Sequence, residues 1–190
     1  MPTTATSTTS NADLITHPVR ARVLVALMGR ALTTAQIARL LPDVPRASLY
    51  RQVRRLHEGG MLEVVRETPV RGTVEKVYAV RRDAGGISPE ESAAASPADH
   101  LRTFATFLDT MATAYRAYLG GGRPVDLPSQ VTMFATPIYA DDAQYERFRE
   151  GLRRLLDSYP STEPSPGTGS ASRRIVWVVS VPDPADPGTP

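Results

Sequence analysis

Apolar residues recur along this 190-residue chain with two different periods. In LITHPVRARVLVALMG the period is helical, with Val19, Val23, Ala26 and Leu27 on one face and Gly29 as a stop. LTTAQIARLL repeats the pattern. Thr33 is placed to cap a second helix, Ile37, Leu40 and Leu41 form its stripe, and Pro42 ends it in the tight turn PDVP. A third helix is predicted from Arg46 to Glu58, closed by Gly59-Gly60. The period then falls to two. MLEVVRE and VEKVYAV read as the strands of a hairpin, joined across TPVRGT with Pro69 and Gly72 in the connection.

Beyond the hairpin, DAGGISPEESAAASP has the composition of a linker. A long helix is predicted from Ala98 to Leu119, with Leu101, Phe104, Leu108, Met111, Tyr115 and Tyr118 at steps of three and four. VTMFATPIYA and RRIVWVVSV read as strands, on either side of an amphipathic helix from Asp141 to Tyr159 that carries Tyr145, Phe148, Leu152, Leu155 and Leu156. The two strands are expected to pair across that helix. The Thr/Ser-rich residues 1–12 and the Pro-rich residues 183–190 read as disordered.

The third helix divides sharply on a helical wheel of about 100° per residue. Leu49, Val53 and Leu56 fall within an arc of roughly 60° and form its core face. Ala47, Arg51 and Arg54 lie opposite, Ser48 and Arg55 on one flank and Tyr50 on the other. Small residues near the start of such a helix allow close approach to base edges, and arginines reach guanine or phosphate. Tyr50 is open to a second reading, packed beside the first helix.

Charge reinforces that reading. The formal net charge is only +2, but residues 20–82 hold thirteen Lys/Arg against five Asp/Glu, and the rest of the chain is net acidic. A basic block in an acidic chain points to a polyanionic partner. Lys76 is the sole lysine, and a GC-rich genome explains the arginine preference as well as any function does.

The run from His17 to Val80 resembles a bacterial winged helix-turn-helix of the ArsR type, a fold shared with MarR and PadR types. THPVRARVLVAL resembles that family's opening D-P-x-R helix, with His17 in place of the usual Asp and Pro18 and Arg20 matching. ASLYRQVRRLHEGGMLEVV resembles its recognition helix and the step into the wing. The resemblance covers about a third of the chain. It implies an N-terminal winged helix-turn-helix (13–83). Together with the periodicity beyond it, the chain reads as an α+β protein in which a linker (84–97), a long dimerisation helix and a small C-terminal α/β unit (98–182) follow that domain. The resemblance also implies a homodimeric regulator, expected to be a repressor, on a pseudo-palindromic double-stranded DNA operator. Carried onto these positions, the base-facing candidates are Arg46, Ala47, Ser48, Tyr50, Arg51, Arg54 and Arg55. The wing candidates are Arg66, Arg71 and Lys76. The competing function is a winged-helix module that binds an acidic protein partner.

On the long helix, Phe104, Phe107, Leu108, Met111, Tyr115 and Tyr118 read either as a dimer seam or as an aromatic pocket for a small-molecule effector. Metal-sensing ArsR-type proteins use Cys and His clusters. This chain has no cysteine, and His17, His57 and His100 are far apart, so neither metal nor cofactor is expected. His17 suits a turn or cap, and His57 a surface position. No nucleophile elbow or phosphate loop is present, and no enzyme activity is expected. Without a basic, apolar leader the chain reads as cytoplasmic and free of membrane.

Overall fold

The computed structural model describes residues 11–70, 72–81, 87, 89–121, 131–160 and 173–182. The elements in chain order are α1 (Asn11–Ile15), α2 (Pro18–Leu27), β1 (Leu32–Thr33), α3 (Thr34–Leu40), α4 (Arg46–Glu58), β2 (Leu62–Val70), β3 (Thr73–Val80), α5 (Pro89–Ala94), α6 (Pro97–Leu119) and α7 (Asp142–Asp157). The architecture is α+β.

Local chemistry sets most of the boundaries. Thr33 and Gln36 form a reciprocal capping box that starts α3, and Ser96–Asp99 and Asp141–Gln144 do the same for α6 and α7. His17 starts α2: its Nδ1 accepts from the Val19 N–H at 3.2 Å, the capping role expected of it. After α4, Gly59 and Gly60 act differently. Gly60 takes φ +76, which suits only a residue without a Cβ, whereas a Cβ on Gly59 would collide with the Leu14 side chain of α1.

Helix α2 is the centre of the domain. It packs against α1, α3, α4, β3 and α6. The core joins Leu14, Val23, Leu24, Leu27, Ile37, Leu41, Val44, Leu49, Val53, Leu56, Met61 and Leu62. Burying these side chains contributes about 1.5–3 kcal/mol for each large aliphatic residue. Leu40 departs from the expected stripe of α3 and is exposed, because Leu41 and Val44 turn into the core instead.

The sheet has three antiparallel strands in the order β1-β3-β2. Residues 32 and 33, expected to open a helix, pair first with Tyr78 and Val77. The hairpin is also longer than expected. Pro69 is not in the connection but in β2, opposite Val74, and the pairing continues to Val70 and Thr73. As a strand at the sheet edge, β2 tolerates a proline that has no N–H to donate. A register shift between Val64 and Arg66 marks a bulge.

Three further expectations need correction. The linker-like stretch contains α5, whose Glu91 accepts from the Asn11 N–H at 3.0 Å. Asn11 and Ala12 are already helical, and residues 1–10 of the stretch read as a disordered start lie outside the described residues, as do 183–190. Neither C-terminal strand forms. Residues 131–141 and 173–182 belong to no helix or strand and have no ladder partners among the described residues, so of the expected α/β unit the described residues hold one helix and two flanking segments. An apolar strand pattern needs a neighbouring edge to pair with, and among the described residues these segments meet none.

Candidate nucleic-acid interface

Helix α4 spans the expected residues, Arg46–Glu58. Leu49, Val53 and Leu56 are almost fully buried. Arg46, Ala47, Tyr50, Arg51, Arg54 and Arg55 are exposed and Ser48 is half-buried. One face therefore fixes the helix and the other presents guanidinium groups. Tyr50 is 53% exposed and stands outside the core, on the side of the arginines. Pro45 stands at the N-cap and supplies no side-chain cap, so the first-turn N–H groups of α4 lack the partner that the other long helices have.

Gln52 is a core residue that the wheel left unassigned. Only 3% exposed, it accepts from Arg20 Nη1 at 3.1 Å. Arg20 is itself buried and also donates to the carbonyls of Leu14, at 2.8 Å, and Asp13. Burial, and secondarily the nearby Arg55, push its pKa below the ordinary arginine value. Arg20 thus ties α1, α2 and α4 together. The available signal was an arginine in the middle of an aliphatic run, which must find acceptors if the run is buried.

The basic block is accordingly smaller than its charge count suggests. Arg20 is consumed internally. Arg22 forms a two-pronged pair with Asp43, both contacts at 2.7 Å, which raises the arginine pKa and lowers that of the aspartate. Arg30 donates to the Ala26 carbonyl. On the outer face, Arg54 pairs with Glu58 one turn on, at 2.7 Å, in an exposed, solvent-screened arrangement that can open to a ligand. Arg46, Arg51 and Arg55 make no ion pair among the described residues.

Between α4 and the hairpin runs a groove of ≈ 560 Å³, lined in part by Tyr50, Arg51, Arg54, His57, Glu58 and Lys76. Lys76 lies opposite Glu67 in register and pairs with it at 3.2 Å. Arg66 is exposed on the neighbouring strand. Arg71 lies outside the described residues, next to Gly72, whose φ of +83 turns the hairpin. His57 is not a plain surface residue. Its Nδ1 donates to the Leu62 carbonyl at 3.1 Å and its ring meets Tyr78 edge-on, fastening the end of α4 to the hairpin.

The other candidates lie on α6. Thr106 and Thr110 face inward, and the Thr106 hydroxyl donates to the Thr16 carbonyl at 3.0 Å. Phe104 and Leu108 are exposed, and Phe107, Met111, Tyr115 and Tyr118 are half-buried. Phe104 stacks with Phe107, and Tyr115 with Tyr118, along the helix. Phe107 also meets Trp177 edge-on, with ring centres 5.1 Å apart. Among the described residues no group of three or more His, Asp or Glu converges as a metal site would require, and no helix is long and apolar enough to cross a membrane.

With α3, the turn at Pro42–Pro45 and α4 in place, residues 15–65 match a family model described as a helix-turn-helix domain. Over those residues the chain is similar to helix-turn-helix domains. The match runs from the end of α1 into β2, so the hairpin extends beyond it as the wing, and it supports a DNA-binding regulator. No curated protein matches the chain.

Proposed function

We propose that this chain is a bacterial ArsR-type transcriptional repressor that binds a pseudo-palindromic operator as a homodimer and answers to a signal other than a metal. The observation that carries the reading is the two-sided α4: three aliphatic residues sealed in the core and an outward face of Arg46, Arg51, Arg54 and Arg55 beside a wing. Such a helix fits the major groove, where arginine donates in bidentate fashion to guanine. The open stripe of Leu101, Phe104 and Leu108 on α6 supports the dimer, and its aromatic neighbours would line an effector site.

Selection of duplexes from a random pool by the full chain, followed by mobility-shift titration, tests the proposal. Arg51→Ala should lose about 1–3 kcal/mol of discrimination at the base pair it reads. Failure to enrich any sequence, or unchanged selectivity in both Arg51→Ala and Arg54→Ala, sinks it. Capture of an acidic protein with no shift of any duplex selects the protein-interaction reading instead.

A further inference from the structure

Helix α4 begins without a side-chain cap, whereas α2, α3, α6 and α7 each open on one. The turn ahead of α4 is fixed from the interior instead. Val44 is buried in the core, and Asp43 beside it is held by Arg22 of α2. The Arg22 Nη1 and Nη2 groups each donate to one Asp43 oxygen at 2.7 Å. Such a two-pronged pair fixes direction as well as distance. Arg22 therefore sets where the recognition helix starts relative to α2.

That pair leaves the third edge of the guanidinium open. The Arg22 Nε–H is buried and has no hydrogen-bond partner among the described residues. A buried donor destabilises the fold until an acceptor reaches it. Arg22 belongs to the helix that packs against α6. Thr106 and Thr110 form the inward face of α6. Asp109 stands at the rim of that face, exposed and outside any ion pair of the described residues. The Arg22 pKa is raised chiefly by its hydrogen bonding to Asp43, and also by the charges of Asp43 and Asp109. Asp109 is thus the carboxylate, besides Asp43, whose charge reaches this side chain.

We propose that Arg22 is a positioning residue that couples α6 to the recognition helix: its Nη groups hold the turn ahead of α4 through Asp43, and its Nε–H is taken by Asp109 once a second copy covers the open stripe of α6. This link rests on the DNA-binding and homodimer readings above and joins them. Leu101, Phe104 and Leu108 are exposed in the single chain, so α6 is packed on one side only. Covering the stripe fixes α6, and with it the Asp109 carboxylate. An arginine suits the task because its N–H groups form a rigid fork that cannot lose its proton. Self-association at α6 and duplex binding at α4 then favour each other reciprocally.

The test uses the full chain, at concentrations where sedimentation shows the dimer, and a duplex that it enriches from a random pool. Removing a negative charge from a DNA-binding protein ordinarily tightens binding. Asp109→Ala should do the opposite and weaken the duplex about tenfold. In an Arg22→Lys background, which keeps the charge but has no rigid fork, Asp109→Ala should have no such effect. A nitrogen-15 spectrum reads the bond itself. The Arg22 Nε–H signal, assigned by its disappearance in Arg22→Lys, should exchange with water about tenfold faster in Asp109→Ala. Because Asp109 is exposed, an unaltered far-ultraviolet spectrum confirms that the variant is folded. Tighter or unchanged binding, equal weakening in both backgrounds, or unchanged Nε–H exchange overturns the link and leaves the regulator reading in place. A wild type that binds no duplex, or never associates, overturns that reading and the link together.

Discussion

Helices α4 and α7 are made of similar material and end in opposite situations. RASLYRQVRRLHE and DAQYERFREGLRRLLD each carry an apolar stripe and several arginines. On α4 the stripe is sealed by α2, α3 and β2, with Leu49 and Leu56 at 0% exposure. On α7 no residue is buried, and Phe148, Leu155 and Leu156 stand open. Amphipathicity says that a face asks to be covered. It does not say that the same chain supplies the cover. The N-terminal domain contains its own complement, whereas the described C-terminal residues do not.

Removing core from each region tests this contrast most severely. Leu56→Ala should cost about 2–5 kcal/mol in urea unfolding, because the surrounding helices cannot collapse into the space. Leu155→Ala, at a 57% exposed position, should change stability by less than about 0.5 kcal/mol. Equal costs would mean that α7 is covered after all.

Next in size is the open stripe of α6. Leu108 faces away from the Thr106–Thr110 side that meets the domain. A charge there leaves the monomer fold alone and burdens only a dimer seam. Leu108→Arg should weaken self-association in sedimentation equilibrium by at least about tenfold, with an unaltered far-ultraviolet spectrum. A wild type that stays monomeric at all concentrations, or a variant that still dimerises normally, rejects α6 as the seam.

A smaller effect concerns the point where the two regions touch. Arg173 donates to the carbonyls of Val25, at 2.6 Å, and Met28, at the C-terminal end of α2, and Trp177 packs on Phe107 of α6. A cation at a helix C-terminus and an edge-on aromatic pair each contribute about 0.5–1 kcal/mol at exposed positions. Arg173→Ala and Trp177→Ala should each lower stability by that amount and make the chain near residue 173 easier to cleave by protease. If neither stability nor cleavage changes, the segment is not held against the domain.

The same contrast explains what could be read from the sequence. The bounds of α4 were legible because its signals are local: a proline before it, a glycine pair after it, and a clean apolar arc between. Thr33 and His17 were legible as caps for the same reason. The two-residue β1 was not, because Leu32 and Thr33 become a strand only when β3 arrives from far along the chain. The Arg20–Gln52 bond was hidden by the same distance. RRIVWVVSV read as a strand from its apolar run, yet a strand is completed by an edge that the sequence pattern does not supply. Within the candidate interface, the arginines of α4 were identifiable, but those of α2 were counted in the basic block although Arg20 is held in the interior and Arg22 by Asp43.

His17 gives the finest test of how far local signals govern the N-terminal domain. As the N-cap of α2, its ring nitrogen accepts from Val19 and must be unprotonated to do so. Its pKa lies below the ordinary 6.5, chiefly through burial and then through Arg20, with Arg55 and Arg51 adding to the effect. The unfolded chain therefore takes up a proton at His17 at a higher pH than the folded chain does. The contribution of this residue is complete above about pH 6.5 and is lost as the pH falls through the lower folded-state value. An aspartate accepts the same hydrogen bond, suits the positive end of the helix dipole, and stays charged across this range. It would also be attracted to the arginines that repel a histidinium. His17→Asp should thus raise stability by about 0.5 kcal/mol at neutral pH, and its advantage over the wild type should widen between pH 7 and pH 5.5. Urea melts at those two pH values decide the matter: a constant or shrinking difference would mean that the cap is not the group that titrates.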